Sequence, residues 1–92
     1  MEIRQNNNNK NGYFEATDGE NQAGKLGYVW AGEQKFIIDH TQVNEAYNGQ
    51  GVGKKLVMKA VEYARENNLK IIPLCPFAKS VFDRTGEIRD VL

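Results

Sequence analysis

The sequence predicts an α+β fold: an antiparallel N-terminal meander of three to four strands, then a β-α-β crossover giving one parallel strand pair, then a short C-terminal helix. Three observations predict it. The first half alternates apolar and polar residues; a glycine-rich turn over Gly49–Gly53 then changes the period to that of a helix; and a compact apolar run, Leu69–Leu74, follows.

In chain order, Glu2-Ile3-Arg4-Gln5 reads as a short edge strand and Asn6 to Asn11 as a polar turn, because asparagine tolerates left-handed geometry and bonds its own backbone. Gly12 to Thr17 is the next strand, and Asp18-Gly19 is a hairpin signal. Gln22 to Ala31 carries Leu26, Tyr28 and Trp30 on one alternating face, as a strand with one face in the core does. Gly32-Glu33-Gln34 makes a turn into a strand over Lys35 to Val43, whose Phe36-Ile37-Ile38 is apolar on both faces, as expected inside a sheet. Asp39 and His40 are adjacent in that strand and so should point to opposite faces.

From Gly51 onward, Val52, Leu56, Ala60, Val61 and Ala64 share one helical stripe, and Asn67-Asn68 stops the helix. The following strand, Leu69 to Leu74, should run parallel to Lys35–Val43 through a right-handed crossover. Pro76 suits the first position of a helix, with Phe77, Val81 and Phe82 toward the sheet and Cys75 at the helix start. Thr85 to Leu92 reads as a short irregular tail. Two helix starts thus converge near the ends of two parallel strands, where open sheets of this kind place their ligands.

At 92 residues the chain forms one domain, 1–92, able to bury roughly 60–65% of its unfolded surface. Lys and Arg number 12, as do Asp and Glu, and the zero net charge gives no general affinity for nucleic acid or anionic membrane. No apolar run suits a membrane span or signal peptide, so a soluble, cytoplasmic protein is expected. One cysteine and one histidine exclude an internal disulfide and argue against zinc. Exposed edge strands are compatible with a monomer or a weak homodimer.

The turn Tyr47-Asn48-Gly49-Gln50-Gly51-Val52-Gly53-Lys54-Lys55 is the chemical centre. A free helix start presents unpaired N–H groups and the positive end of the helix dipole, a natural seat for phosphate. It is no Walker A loop, because the required glycine would fall on Asn48. Nor is it a dinucleotide fingerprint, whose last glycine would fall on Lys54 or Leu56. An ordinary strand-to-helix connection with flexible glycines is the competing reading.

Taken with Phe36 to Val43 before it and Ile71-Ile72-Pro73-Leu74-Cys75-Pro76-Phe77 after it, the loop resembles the GNAT superfamily of acetyl-CoA-dependent N-acetyltransferases, specifically its very short members. The match covers the C-terminal two-thirds. In that superfamily the pyrophosphate loop reads Arg or Gln, two residues, Gly, one residue, then Gly or Ala. Gly51 and Gly53 take the small positions here and Asn48 stands where Arg or Gln is usual.

The resemblance implies a truncated GNAT-like fold whose parallel strands splay around the pantetheine of acetyl-CoA. The cofactor would be held by Thr41, Val43, Asn48, Gly49, Gln50, Gly51, Val52, Gly53, Lys54, Cys75 and Lys79, with the Val43 N–H on the acetyl carbonyl. It also implies an open acceptor site for an exposed protein amine or a small amine. Histidine is the side chain type whose unperturbed pKa lies near neutrality, so His40, the only one, is the candidate for proton transfer, against a strand histidine bonded to its neighbours. Cys75 at a helix start could accept the acetyl group, protonate the departing sulfur, or pack against pantetheine.

The leading expectation is an N-acetyltransferase that moves acetyl to a primary amine by direct attack. The alternative is a module that binds acetyl-CoA or CoA with little turnover. A third, a small nucleic-acid-binding domain, is disfavoured by the charge balance.

Overall fold

The computed structural model describes residues 1–92. Five strands, β1 (Glu2–Asn7), β2 (Asn11–Asp18), β3 (Asn21–Trp30), β4 (Lys35–Val43) and β5 (Lys70–Pro73), form one sheet in the order β1-β2-β3-β4-β5. The first four are antiparallel neighbours, and β5 lies parallel to β4 after the crossover through α1 (Val52–Glu66). A second helix, α2 (Pro76–Arg84), follows β5.

The asparagine-rich stretch is less of a turn than its composition suggests. Strand β1 runs to Asn7 and β2 begins at Asn11, so only Asn8 to Lys10 turn. The Asn8 side chain accepts from the N–H groups of Lys10 and Asn11, while Asn7 accepts from the Trp30 indole N–H at 2.9 Å. Those amide side chains help satisfy backbone and indole donors at the sheet margin, the indole N–H being shared with the Asn8 carbonyl oxygen at 3.0 Å.

The core lies between one sheet face and the two helices. Phe14, Leu26, Tyr28, Phe36 and Ile38 come from the strands, and Val52, Leu56, Val57, Ala60, Val61 and Ala64 from α1; all are buried. Tyr28 and Phe36 are both buried, with ring centroids 4.8 Å apart in a tilted arrangement, which places both rings in the core. Each such ring contributes roughly 1.5–3 kcal/mol by leaving water. Gly24 lets the start of α1 settle on β3: a Cβ there would come within 2.9 Å of Val52 Cγ1 and of the Gln42 carbonyl oxygen.

Two expectations about the C-terminal part need correction. Phe77 does not face the core; it is 38% exposed and its ring lies over Gly53 instead, while Ala78, Val81 and Phe82 pack inward. The last residues are not an irregular tail either. Gly86–Val91 forms a 3-10 segment that buries Ile88 and Val91 beneath α1 and α2, and Arg65 of α1 pairs with Asp90 at 2.7 Å. Two apolar residues three apart match one face of a 3-10 turn, a signal too short to stand out in the sequence.

Candidate functional site

The site begins with a break in register. Along β3 and β4, Gly27 pairs with His40 but Tyr28 pairs with Ile38, so Asp39 is an extra residue, a β-bulge. The β4–β5 ladder ends at the same place, with Ile38 opposite Pro73. The carbonyl of Ile38 then accepts from the N–H groups of both Leu74 and Cys75 as β5 turns away. Beyond Ile38, therefore, β4 keeps β3 on one side and has an open gap on the other.

The bulge also changes which side chains face which way. Thr41 and Val43 pair with Leu26 and Gly24, and so share the helix-covered face. His40 and Gln42 pair with Gly27 and Lys25 and face the opposite, open side. Asp39 does not oppose His40 as simple alternation requires. Its Oδ1 lies 3.5 Å from where a Gly27 Cβ would stand, and the His40 Cβ lies 3.9 Å from that same point. Both side chains thus flank Gly27 on one face.

Backbone polarity in the gap follows from the ladder. Asn44 N–H donates to the Ala23 carbonyl at 2.8 Å, and antiparallel bonding alternates, so the Val43 N–H points away from β3 into the gap.

Gly51 ends the loop in a left-handed conformation, φ 72°, as the N-cap residue of α1, and no side chain caps the helix. The N–H groups of Val52, Gly53 and Lys54 therefore remain free for an anion, at the positive end of the dipole. A groove of about 530 Å³ connects this helix start to the gap. Thr41 and Val43 line it from β4, Tyr47 to Gly49 and Gly51 to Lys54 from the loop and α1, and Phe77, Val81 and Arg84 from α2. Thr41, Val43, Asn48, Gly49, Gly51, Val52, Gly53 and Lys54 are thus brought together.

Gln50, Lys79, Cys75 and His40 are not in that wall. Lys79 sits two residues from Phe77 on α2, about 200° around the helix, and Arg84 supplies the α2 cation in its place. Arg84 was not legible as a site residue because a basic residue in the last turn already complements the helix dipole. Phe77, Val81 and Arg84 recur at helical spacing, but an apolar pair with that spacing reads as core.

Cys75 is the N-cap residue of α2 and is buried, with its Sγ 3.5 Å from Thr41 Oγ1. It stands one side chain behind the groove wall. Burial opposes ionisation of the thiol, but the Thr41 hydroxyl and the backbone N–H groups of Ala78, Phe77 and Thr41 together outweigh it and hold the thiol below its ordinary value. His40 is separated from this sulfur by the sheet, since it projects from the other face.

Two further cavities lie around the same end of β4. One of about 660 Å³ is lined by Asn21, Gln22, Gly24, Gln42, Val43, Asn44, Ala46 and Tyr47. The other, about 470 Å³, lies on the open face and includes Tyr13, Lys25, Gly27, Asp39, His40 and Gln42. Gln42 lines both, while Val43 and Tyr47 line the first together with the helix-side groove. All three cavities draw lining residues from the C-terminal half of β4.

A sheet opened between two parallel strands, with an uncapped glycine-rich helix start facing the gap, defines the GNAT class of fold. A family model described as GCN5-related N-acetyl-transferase matches residues 13–91, and the chain belongs to that family.

The solution structure of a GCN5-like N-acetyltransferase candidate from Staphylococcus aureus is similar over 98% of this chain and 85% of that one, at 42% identity and a TM-score of 0.76. The ribosomal-protein-alanine N-acetyltransferase of Brucella melitensis biovar Abortus 2308 shares the fold at 18% identity and a TM-score of 0.70, over 82% of this chain and 62% of its own. Protein NATD1 of Gallus gallus is 33% identical over 48 residues, 52% of this chain and 44% of its own length. The human protein of that name matches equally over 42% of its length, so the match spans less than half of these relatives.

Proposed function

We propose that the chain binds acetyl-CoA along the helix-side groove and transfers its acetyl group to a primary amine that reaches the thioester from the open face. The observation carrying this reading is that one groove holds both the uncapped start of α1 and the edge of β4 left open beyond Ile38, at Thr41 and Val43. In this reading the N–H groups of Val52, Gly53 and Lys54 bind the pyrophosphate, and Lys54 and Arg84 add charge. Pantetheine lies in the gap beside Thr41 and Val43.

The amine lone pair attacks the thioester carbonyl carbon. The developing oxyanion accepts from the Val43 N–H, a fixed donor in a partly desolvated gap. Collapse breaks the C–S bond; His40 takes the proton from the amine nitrogen, and the CoA sulfur leaves as thiolate and is protonated. Cys75 sets the wall behind Thr41 and can supply that proton through the hydroxyl. The absence of any helix long and apolar enough to cross a membrane is compatible with a cytoplasmic setting, where acetyl-CoA is met.

A second reading, a CoA-binding module with little turnover, is favoured by one observation: His40 and Cys75 lie on opposite faces, so no acid–base pair is assembled. Turnover of acetyl-CoA with a panel of primary amines, beside CoA affinity, separates the two. Direct transfer predicts that His40→Ala lowers kcat by about a hundredfold while CoA affinity is kept. Wild-type turnover in both His40→Ala and Cys75→Ala would remove these two assignments.

A further inference from the structure

We infer that the trough on the open face is a recognition site for a singly charged alkylammonium, anchored by Asp39, and that Asp39 and Gly27 are its specificity-determining residues. As the amine acceptor's subsite this rests on the acetyl-transfer reading above; as a binding site it stands on its own.

The bulge is what creates it. A regular strand would send Asp39 and His40 to opposite faces, whereas here both stand beside Gly27. The Asp39 carboxylate is exposed and unpartnered: the molecule's three ion pairs, Arg4–Glu2, Lys59–Glu62 and Arg65–Asp90, lie elsewhere, and no side-chain hydrogen bond reaches it. Gly27 gives the trough its floor. A Cβ there would make only ordinary contacts of 3.5–4.0 Å, so the glycine is not required by packing; what it leaves is space. The cavity of about 470 Å³ is of a size that accepts a small ligand.

The far wall limits the ligand's charge. Lys25 Nζ lies 4.2 Å from the centroid of the Tyr13 ring, so that aromatic face already carries an ammonium. A ligand ammonium at Asp39 gains a carboxylate, while a second one further along the trough would meet Lys25. One positive charge on an aliphatic stem, as on a lysine side chain or a free monoamine, fits this field better than a diamine does.

The test reads binding directly and needs no turnover. Amide shifts of the uniformly ¹⁵N-labelled protein are followed during titration with Nα-acetyl-lysine methylamide, n-butylamine, 1,5-diaminopentane and neutral aniline. The inference predicts saturable shifts at Gly27, His40 and Gln42 with the two monoamines, and weaker binding of the diamine and of aniline. Asp39→Asn should weaken the monoamines about fivefold, as loss of a partly exposed charged partner does. Asp39→Glu should restore part of that loss, and Gly27→Val should abolish binding while the protein stays folded.

Binding of n-butylamine equal to the lysine derivative makes the ammonium and its stem sufficient; tighter binding of the lysine derivative adds peptide contacts. Both support the site. Unchanged affinity in Asp39→Asn, shifts confined to other surfaces, or tighter binding of the diamine would overturn it. A parallel titration with CoA reads Gly49–Gly53 instead, so failure of the cofactor reading registers separately.

Discussion

Thr41 and Cys75 meet at the wall of the helix-side groove. Thr41 faces the helix side only because the bulge at Asp39 shifts the alternation of β4, and this brings its hydroxyl to the Cys75 sulfur. Burial raises the thiol, and the hydroxyl with three backbone N–H groups lowers it further than burial raises it. The folded chain therefore gives up that proton at lower pH than the unfolded chain. Between the two values the unfolded state binds more protons, so this group adds stability as pH rises and adds none below the folded value. Following thiolate absorbance against pH should place the Cys75 midpoint below that of the urea-unfolded protein. Thr41→Val should move it upward, and coincident folded and unfolded midpoints would contradict the proposed wall.

The elements divide into those the sequence made plain and those it hid. Strand β4 is Lys35–Val43 as its pattern indicates, Pro76 opens α2, and Asn68 takes φ 56° after the α1 stop at Asn67. These were legible because each rests on local chemistry: alternation, a fixed φ, a left-handed cap. The bulge at Asp39 was not legible, because it depends on register between two strands and leaves no trace in the order of residues. The orientation of Phe77 was hidden for a similar reason, since only the fold brings α2 against Gly53. The final segment was missed because Ile88 and Val91 have meaning only against α1 and α2. Truncating that segment's anchor, Ile88→Ala, should cost about 2–5 kcal/mol in urea unfolding, as expected for a fully buried isoleucine. A loss under about 0.5 kcal/mol, the level of an ordinary surface substitution, would return the segment to a loose tail.

At the scale of the molecule, both helices cover one face of the sheet and leave the other face open. The groove of Thr41, Val43 and the α1 start belongs to the covered side, and the trough of Asp39 and His40 to the open side. Strand β4 contributes to both, Thr41 and Val43 to the groove and Asp39, His40 and Gln42 to the trough, so the proposed cofactor and amine would approach from different directions. The covered-side groove, in the reading proposed above, holds a pantetheine-linked nucleotide. Calorimetric titration with acetyl-CoA, CoA and ATP tests it most directly. A pantetheine-binding groove should give saturable binding of both CoA species, much tighter than ATP, and weakened by Arg84→Ala. No binding of either CoA species at millimolar concentration, or ATP bound as tightly as they are, would contradict it.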